Sequence, residues 1–195
     1  MKPMPDKHPK QAQVLRDIRE DFKARPTESL FLIGESGAGK SAILFAIYQD
    51  EVRKAERPAF AATLDEALES YKQWEFTRNT NNPTTPIIDP EYLEYCGRKD
   101  VCCLVCIDEI SAEKPTEYKL QVFFKIVKAC HDNRHQLIVT SNYDEDGLVT
   151  LWSVDGMNAR PLIRRLVDEA EVFEFPFEGT KEYEKCLASI SVGRT

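Results

Sequence analysis

At 195 residues, with 42% hydrophobic side chains and a formal net charge of −7, the chain is long enough for one sizeable core and too short for two comfortable domains. The acidic balance argues against a dedicated DNA binder working as a monomer, while leaving room for local basic grooves built by several subunits. No apolar run reaches bilayer length, and the stretch from Met1 to Arg25 is charged throughout, so a soluble, cytoplasmic protein with no membrane partner is expected.

Met1 to Pro9 carries three prolines and no periodicity and reads as an arm. From Lys10 to Ala24, Val14, Leu15, Ile18 and Phe22 recur at helical spacing, giving an amphipathic helix that stops before Pro26. Its polar face is rich in Lys and Arg, as a solvated face is and as a face touching nucleic acid or a neighbouring subunit would be. The expected organisation is therefore an arm and helix over 1–25 followed by one core over 26–195.

The stretch LFLIGESGAGKS, Leu30 to Ser41, runs an apolar strand into a Gly-rich loop and then into a helix. Gly34, Gly39, Lys40 and Ser41 satisfy G-x-x-x-x-G-K-[ST], with Glu35, Ser36, Gly37 and Ala38 between them. Glycines let backbone N–H groups turn inward around phosphate oxygens. Lys40 suits β- and γ-phosphates, the Ser41 hydroxyl suits Mg²⁺, and the following helix points its N-terminus at the same anion. A plain Gly-rich turn is the alternative, but the strand-then-helix context is the one an ATP-binding loop requires.

Ile43, Leu44 and Ile47 line the buried side of the helix from Ser41 to about Lys54. Pro58 opens a short strand, Ala59 to Thr63, and Leu64, Leu68 and Tyr71 mark a helix running to about Phe76. Thr77 to Ile88 is polar and broken by Pro83 and Pro86, a loop long enough to be functional or disordered. Asp89 and Pro90 start a helix over Glu91 to Cys96. Val101 to Ile107 is apolar at every position, as a parallel strand covered on both faces is, and stops at Asp108 and Glu109.

Leu120, Phe123, Phe124 and Val127 keep a helical period between Thr116 and Cys130, and Gln136 to Ser141 is a further buried strand ending at Asn142. A polar, irregular segment with Gly147 and Gly156 leads to a short helix over Asn158 to Val167 bearing Arg160, Arg164 and Arg165. Glu171 to Phe175 is the last strand and Lys181 to Ile190 a terminal helix. Five strands alternating with helices predict a mostly parallel sheet covered on both sides, a three-layer αβα fold.

The six cysteines are Cys96, Cys102, Cys103, Cys106, Cys130 and Cys186. Cys103 and Cys106 resemble half a zinc site, but no second pair follows, and in a strand the two thiols point to opposite faces. Reduced core cysteines are the expectation.

Asp108 and Glu109 close the apolar strand 68 residues beyond Lys40. An aspartate there can hold the Mg²⁺ that bridges terminal phosphates, and the next carboxylate can polarise a water for in-line attack, which suits hydrolysis. Asn142 at the tip of its strand either senses the γ-phosphate or simply starts a turn. Arg160 and Arg164 share a helical face. They either form a solvated patch or act on nucleotide, one as an arginine finger in a neighbouring subunit and the other as a sensor in its own.

GESGAGKS, LVCIDEI followed by a helix, LIVTSN, and Arg160, Arg164 and Arg165 before a final strand together resemble the DnaC/IstB-like branch of the AAA+ ATPases. That branch holds helicase loaders and the ATPase subunits of certain transposons, and the resemblance runs roughly from Leu30 to Phe177. It implies an αβα ATPase core, Mg-ATP as ligand, and oligomers with nucleotide between subunits; the sequence departs from many AAA+ proteins in offering no small helical lid, so no separate lid domain is expected. It also implies a DnaC-like role in DNA replication with a replicative helicase as partner, or an IstB-like role with a transposase. The region from Leu64 to Cys96 falls where the initiator and loader clade inserts helices that line a DNA path, so Lys72, Trp74 and Arg78 are candidates for single-stranded DNA, with core packing the alternative for Trp74. Helicase loaders usually carry a separate N-terminal domain, whereas about two dozen residues precede the core here, which leaves the partner open. A small-molecule kinase and a non-catalytic nucleotide switch are the rivals from other classes.

Overall fold

The computed structural model describes residues 28–112, 114–153, 158–168 and 170–175. The arm and helix expected over 1–25, the terminal helix over 181–190 and the question of a lid after the core lie outside them. Five strands form one sheet: β1 (Ser29–Gly34), β2 (Ala59–Thr63), β3 (Leu104–Asp108), β4 (Gln136–Ser141) and β5 (Ala170–Phe175). The order is β2-β3-β4-β1-β5 and every pairing is parallel. Six helices connect them: α1 (Lys40–Lys54), α2 (Leu64–Thr77), α3 (Pro90–Gly97), α4 (Glu117–Asp132), α5 (Glu145–Trp152) and α6 (Arg160–Asp168).

Alternation along the strands divides the core between two faces. Leu30 and Leu32 of β1, Leu104 and Cys106 of β3 and Ile138 of β4 meet Ile43, Leu44 and Ile47 of α1 on one side. Phe31, Val105, Ile107 and Val139 face the other side, against Leu68, Leu93, Phe123, Ile126, Trp152 and Ile163 from the remaining helices. β3 and β4 are buried at every position, as central strands of a covered parallel sheet must be. Cys103 and Cys106 fall in opposite cores, the cysteines described are free, and no metal-holding cluster occurs among the described residues.

Local chemistry fixes the helix starts. Thr63 and Glu66 form a reciprocal capping box for α2, Asp89 caps α3 ahead of Pro90, and Thr116 and Asp144 cap α4 and α5. The loop after α2 is tied down: Thr84 N–H donates to Thr77 Oγ1 at 2.9 Å, Ile87 N–H donates to Ser70 Oγ at 3.1 Å, and Ile88 is fully buried.

Two sequence expectations are corrected. β3 begins at Leu104 instead of Val101, because the backbone upstream turns: Val101 N–H bonds the Cys96 carbonyl and Cys103 N–H bonds His135 Nδ1. Asp108 in turn belongs to the strand, as its last residue. The segment after Asn142, expected to be irregular, contains α5. Its apolar anchors Leu148 and Trp152 are four apart and fully buried, and Gly147 fits the first turn because a Cβ there would lie 3.0 Å from Asp144 Oδ1.

The amino edge of the sheet is closed by a polar network. Glu51, near the end of α1, accepts from Lys54 and from Arg57 Nε, the latter at 2.8 Å. Arg57 also donates to Gln136 at the start of β4 and lies 3.6 Å from Cys102 Sγ through Nη1, while Gln136 Nε2 donates to the Glu28 carbonyl at 2.6 Å. Burial alone would raise the Glu51 pKa, but the hydrogen bonds from Lys54 and Arg57 outweigh it and hold the carboxyl below its ordinary value. No helix among the described residues is long and apolar enough to cross a membrane.

Candidate nucleotide site

The carboxyl ends of β1, β3 and β4 lie side by side, and the polar residues at their tips converge there. Gly34 ends β1 in register with Phe175 of β5. The loop that follows turns through Ala38 N–H to the Glu35 carbonyl, with Gly37 and Gly39 at φ of 85° and 101°, left-handed values that glycine adopts without a Cβ clash. Gly39 provides no side-chain cap to the 15-residue helix α1, so the first N–H groups of that helix are left for a ligand on the loop side. Glu35, Ser36 and Gly37 are exposed, and Ala38 and Ser41 are partly buried.

Lys40, 6% exposed, folds back into the loop. Its Nζ donates to the carbonyls of Gly34 at 2.6 Å and Glu35 at 2.8 Å and to Asn142 Oδ1 at 3.0 Å, which uses all three ammonium hydrogens. Burial pushes the Lys40 pKa down, and the charges of Asp108 and Glu109 oppose that shift.

Asp108 is 5% exposed and its Oδ1 accepts from Ser41 Oγ at 3.0 Å and from the Thr140 hydroxyl. Glu109 leaves the strand at φ 56°, a left-handed conformation that costs a non-glycine residue about 1–2 kcal/mol, and its side chain is exposed. Three hydrogen bonds stitch this turn to β4. Glu109 N–H donates to Thr140 Oγ1 at 2.8 Å, Ile110 N–H to the Thr140 carbonyl at 3.0 Å, and Asn142 N–H to Ser111 Oγ at 2.7 Å. Thr140 and Ser111 were not singled out from the sequence. The available signal was a threonine directly after the apolar run Leu137–Val139 of a fully buried strand.

Lys40, Ser41, Asp108, Glu109 and Asn142 are thus brought together with the loop Gly34–Gly39. The late arginines are not joined to them: among the described residues no hydrogen bond or ion pair links Arg160 or Arg164 to that group. Arg160 Nη2 lies 3.9 Å from Asp146 Oδ1, with the two side chains 53% and 88% exposed, a weak pair in solvent. Arg164 is exposed, and Arg165 stacks its guanidinium 5.1 Å from the Phe124 ring centroid. Topology separates the first two. α6 leads to the start of β5, so it runs from the carboxyl edge of the sheet towards the amino edge, and its first residue, Arg160, is nearer the nucleotide-loop edge than Arg164. On α2, Trp74 packs against the core beside Tyr71, with ring centroids 5.2 Å apart, and Arg78 lies 5.3 Å above its ring. Lys72 is exposed.

The donor set fits magnesium and a nucleotide triphosphate: one hydroxyl and one carboxylate in contact, a buried ammonium beside them, and an uncapped helix start. Neither a family model nor a curated protein sequence matches the chain. Solved structures do. AMPPCP-bound DnaA from Aquifex aeolicus matches with a TM-score of 0.62 at 15% identity over 93% of this chain, which spans 51% of that one. DnaI matches with a TM-score of 0.58 at 22% identity over 85% of this chain and 81% of that one. The DnaC helicase loader matches with a TM-score of 0.56 at 15% identity, covering 84% and 87%.

The described residues therefore have an αβα P-loop NTPase fold, with an all-parallel five-stranded sheet. Within that class the likeness is to DnaC, DnaI and DnaA, and at these identities it is a likeness of fold.

Proposed function

We propose that this chain binds ATP with Mg²⁺ and hydrolyses it, and that it acts in DNA replication as a DnaC-like helicase loader. The observation that carries the reading is Asp108, whose carboxylate accepts from Ser41 at 3.0 Å while Lys40 sits buried alongside, the juxtaposition that a metal-bridged triphosphate calls for. The backbone of Gly34–Gly39 and the start of α1 bind the phosphates, and Lys40 exchanges its loop carbonyls for β- and γ-oxygens. Ser41 and Asp108 hold the cation, which when bound draws charge from the terminal phosphates. Glu109 takes a proton from the attacking water as the bond from that oxygen to the γ-phosphorus forms and the bond to the leaving ADP oxygen breaks. Asn142 orients the water. Self-association puts Arg160 or Arg164 at a neighbour's nucleotide as a finger, Arg160 being the better placed by its position at the head of α6.

Single-stranded DNA fits the surface bearing Lys72, Phe76 and Arg78, where Phe76 is 79% exposed. The likeness to DnaC and DnaI supports a replicative helicase as the partner.

The deciding experiment measures fluorescent-ATP binding and phosphate release for the native chain and for Glu109→Gln. Binding retained with hydrolysis lowered by orders of magnitude supports the reading. Hydrolysis surviving the change removes Glu109 from the mechanism, and no magnesium-dependent binding by the native chain removes the function altogether.

A further inference from the structure

We infer that Thr140 is a positioning residue for hydrolysis, acting through Glu109. The inference rests on the reading of Glu109 as the proton acceptor. Thr140 is 1% exposed and sits in β4, which lies between the strand that enters the phosphate loop and the strand that ends in the acidic pair. A hydroxyl has one proton to give and lone pairs to receive with. Here the proton goes to Asp108 Oδ1, which leaves the oxygen facing the Glu109 N–H at 2.8 Å. One hydroxyl therefore connects the cation-holding carboxylate to the backbone of the next residue.

The position of that backbone matters because Glu109 is held at φ 56°. A left-handed glutamate persists only where its surroundings over-determine it. The Thr140 hydroxyl and carbonyl receive the two successive N–H groups of Glu109 and Ile110, and so fix the turn. Without the hydroxyl the Glu109 N–H and one Asp108 lone pair lose a partner in a nearly dry site, the turn relaxes towards negative φ, and the Glu109 carboxylate swings away from the water it serves. Lys40 keeps its bonds to the Gly34 and Glu35 carbonyls and Asp108 Oδ1 keeps the bond from Ser41 Oγ at 3.0 Å, so the phosphate-loop side of the site is retained. The signature is a loss in kcat with nucleotide affinity preserved.

Thr140→Val keeps the branched shape and removes the hydroxyl, and Thr140→Ser keeps the hydroxyl. Steady-state ATPase and fluorescent-ATP binding are measured on both, on Glu109→Gln, and on the Thr140→Val, Glu109→Gln double variant. The expected result is at least a tenfold fall in kcat for Thr140→Val with ATP affinity within threefold of the native chain. Thr140→Ser should recover kcat to within threefold of native, and the double variant should be no slower than Glu109→Gln alone. Should Thr140→Val fail to fold, Thr140→Cys carries the same expectation. A native kcat in the hydroxyl-free variant, equal losses in affinity and kcat, or no rescue by serine overturns the inference. If Glu109→Gln still hydrolyses ATP, the underlying reading of Glu109 fails and the inference fails with it. If only Thr140→Val is silent, the inference alone falls.

Discussion

A Cβ added to Gly34 would lie 2.6 Å from the carbonyl oxygen of Phe175 and 2.8 Å from its Cβ. The first residue of the candidate nucleotide loop is therefore glycine for the sake of the neighbouring strand. Gly34→Ala must push β5 aside, and overpacking of this kind costs about 1–3 kcal/mol. Gly37→Ala meets no atom within 4 Å and bears only the backbone strain of φ 85°, about 1–2 kcal/mol. Urea unfolding should rank Gly34→Ala as the less stable variant, and an unchanged midpoint for it would contradict the packing of β1 on β5.

Lys40→Met should separate stability from binding. The ammonium is buried, and its pKa is pushed down chiefly by that burial, so the charge is held less comfortably than in water. An apolar side chain of similar length relieves that cost. Thermal melts should find the variant at least as stable as the native chain without nucleotide, yet ATP and magnesium should raise only the native melting temperature. A shift of equal size in both proteins would show that Lys40 does not contact nucleotide.

At the amino edge, Arg57→Leu leaves Glu51 with Lys54 as its remaining cationic partner. Removing one member of a buried pair costs about 3 kcal/mol at neutral pH. The Glu51 carboxyl titrates below its ordinary value of 4.5, so its contribution is complete above that pH and disappears as pH falls through the lowered folded-state value. Urea midpoints of native and variant proteins should therefore differ at pH 7 and draw together as the pH falls below 4.5 and through the lowered folded-state value. A gap independent of pH would assign the loss to packing of the arginine stem instead.

Among the described cysteines, Cys102 should react first. The neighbouring His135 pulls the thiol below the ordinary value of 9.0 against the opposing effect of burial, and Arg57, whose Nη1 lies 3.6 Å from the sulfur, assists. Burial pushes Cys103 up to about 12 and raises Cys106 and Cys130 as well. Iodoacetamide labelling mapped by mass spectrometry at pH 7.5 should modify Cys102 at least tenfold faster than those three, with its rate rising through a midpoint below 9.0. Comparable rates at Cys103 would mean that the amino edge opens in solution.

Much of this architecture was legible because each signal was local. A covered parallel strand must be apolar throughout, so LVCI announced β3 and LIV announced β4. The G-x-x-x-x-G-K-[ST] spacing gave the loop, and Asp89-Pro90 gave a helix start. Helix α5 was hidden by Gly147, normally a breaker, whose small size is needed beside the Asp144 cap. The start of β3 was hidden because apolarity marks burial and not pairing, and Cys103 is buried while its N–H serves His135. Thr140 and Ser111 were invisible for a related reason: their hydroxyls matter through partners about 31 positions away, a distance that only the sheet closes.

The placement of β1 next to β4 has a consequence for the chain as it is made. Ser29 and Leu137 meet across 108 residues, so the N-terminal strand of the described region waits for more than half the protein before either neighbour exists. A ribosome-bound chain stalled short of β4 carries its entire glycine loop without either strand that pairs with β1, and on this geometry the candidate site is complete only after the tip of β4 has left the exit tunnel.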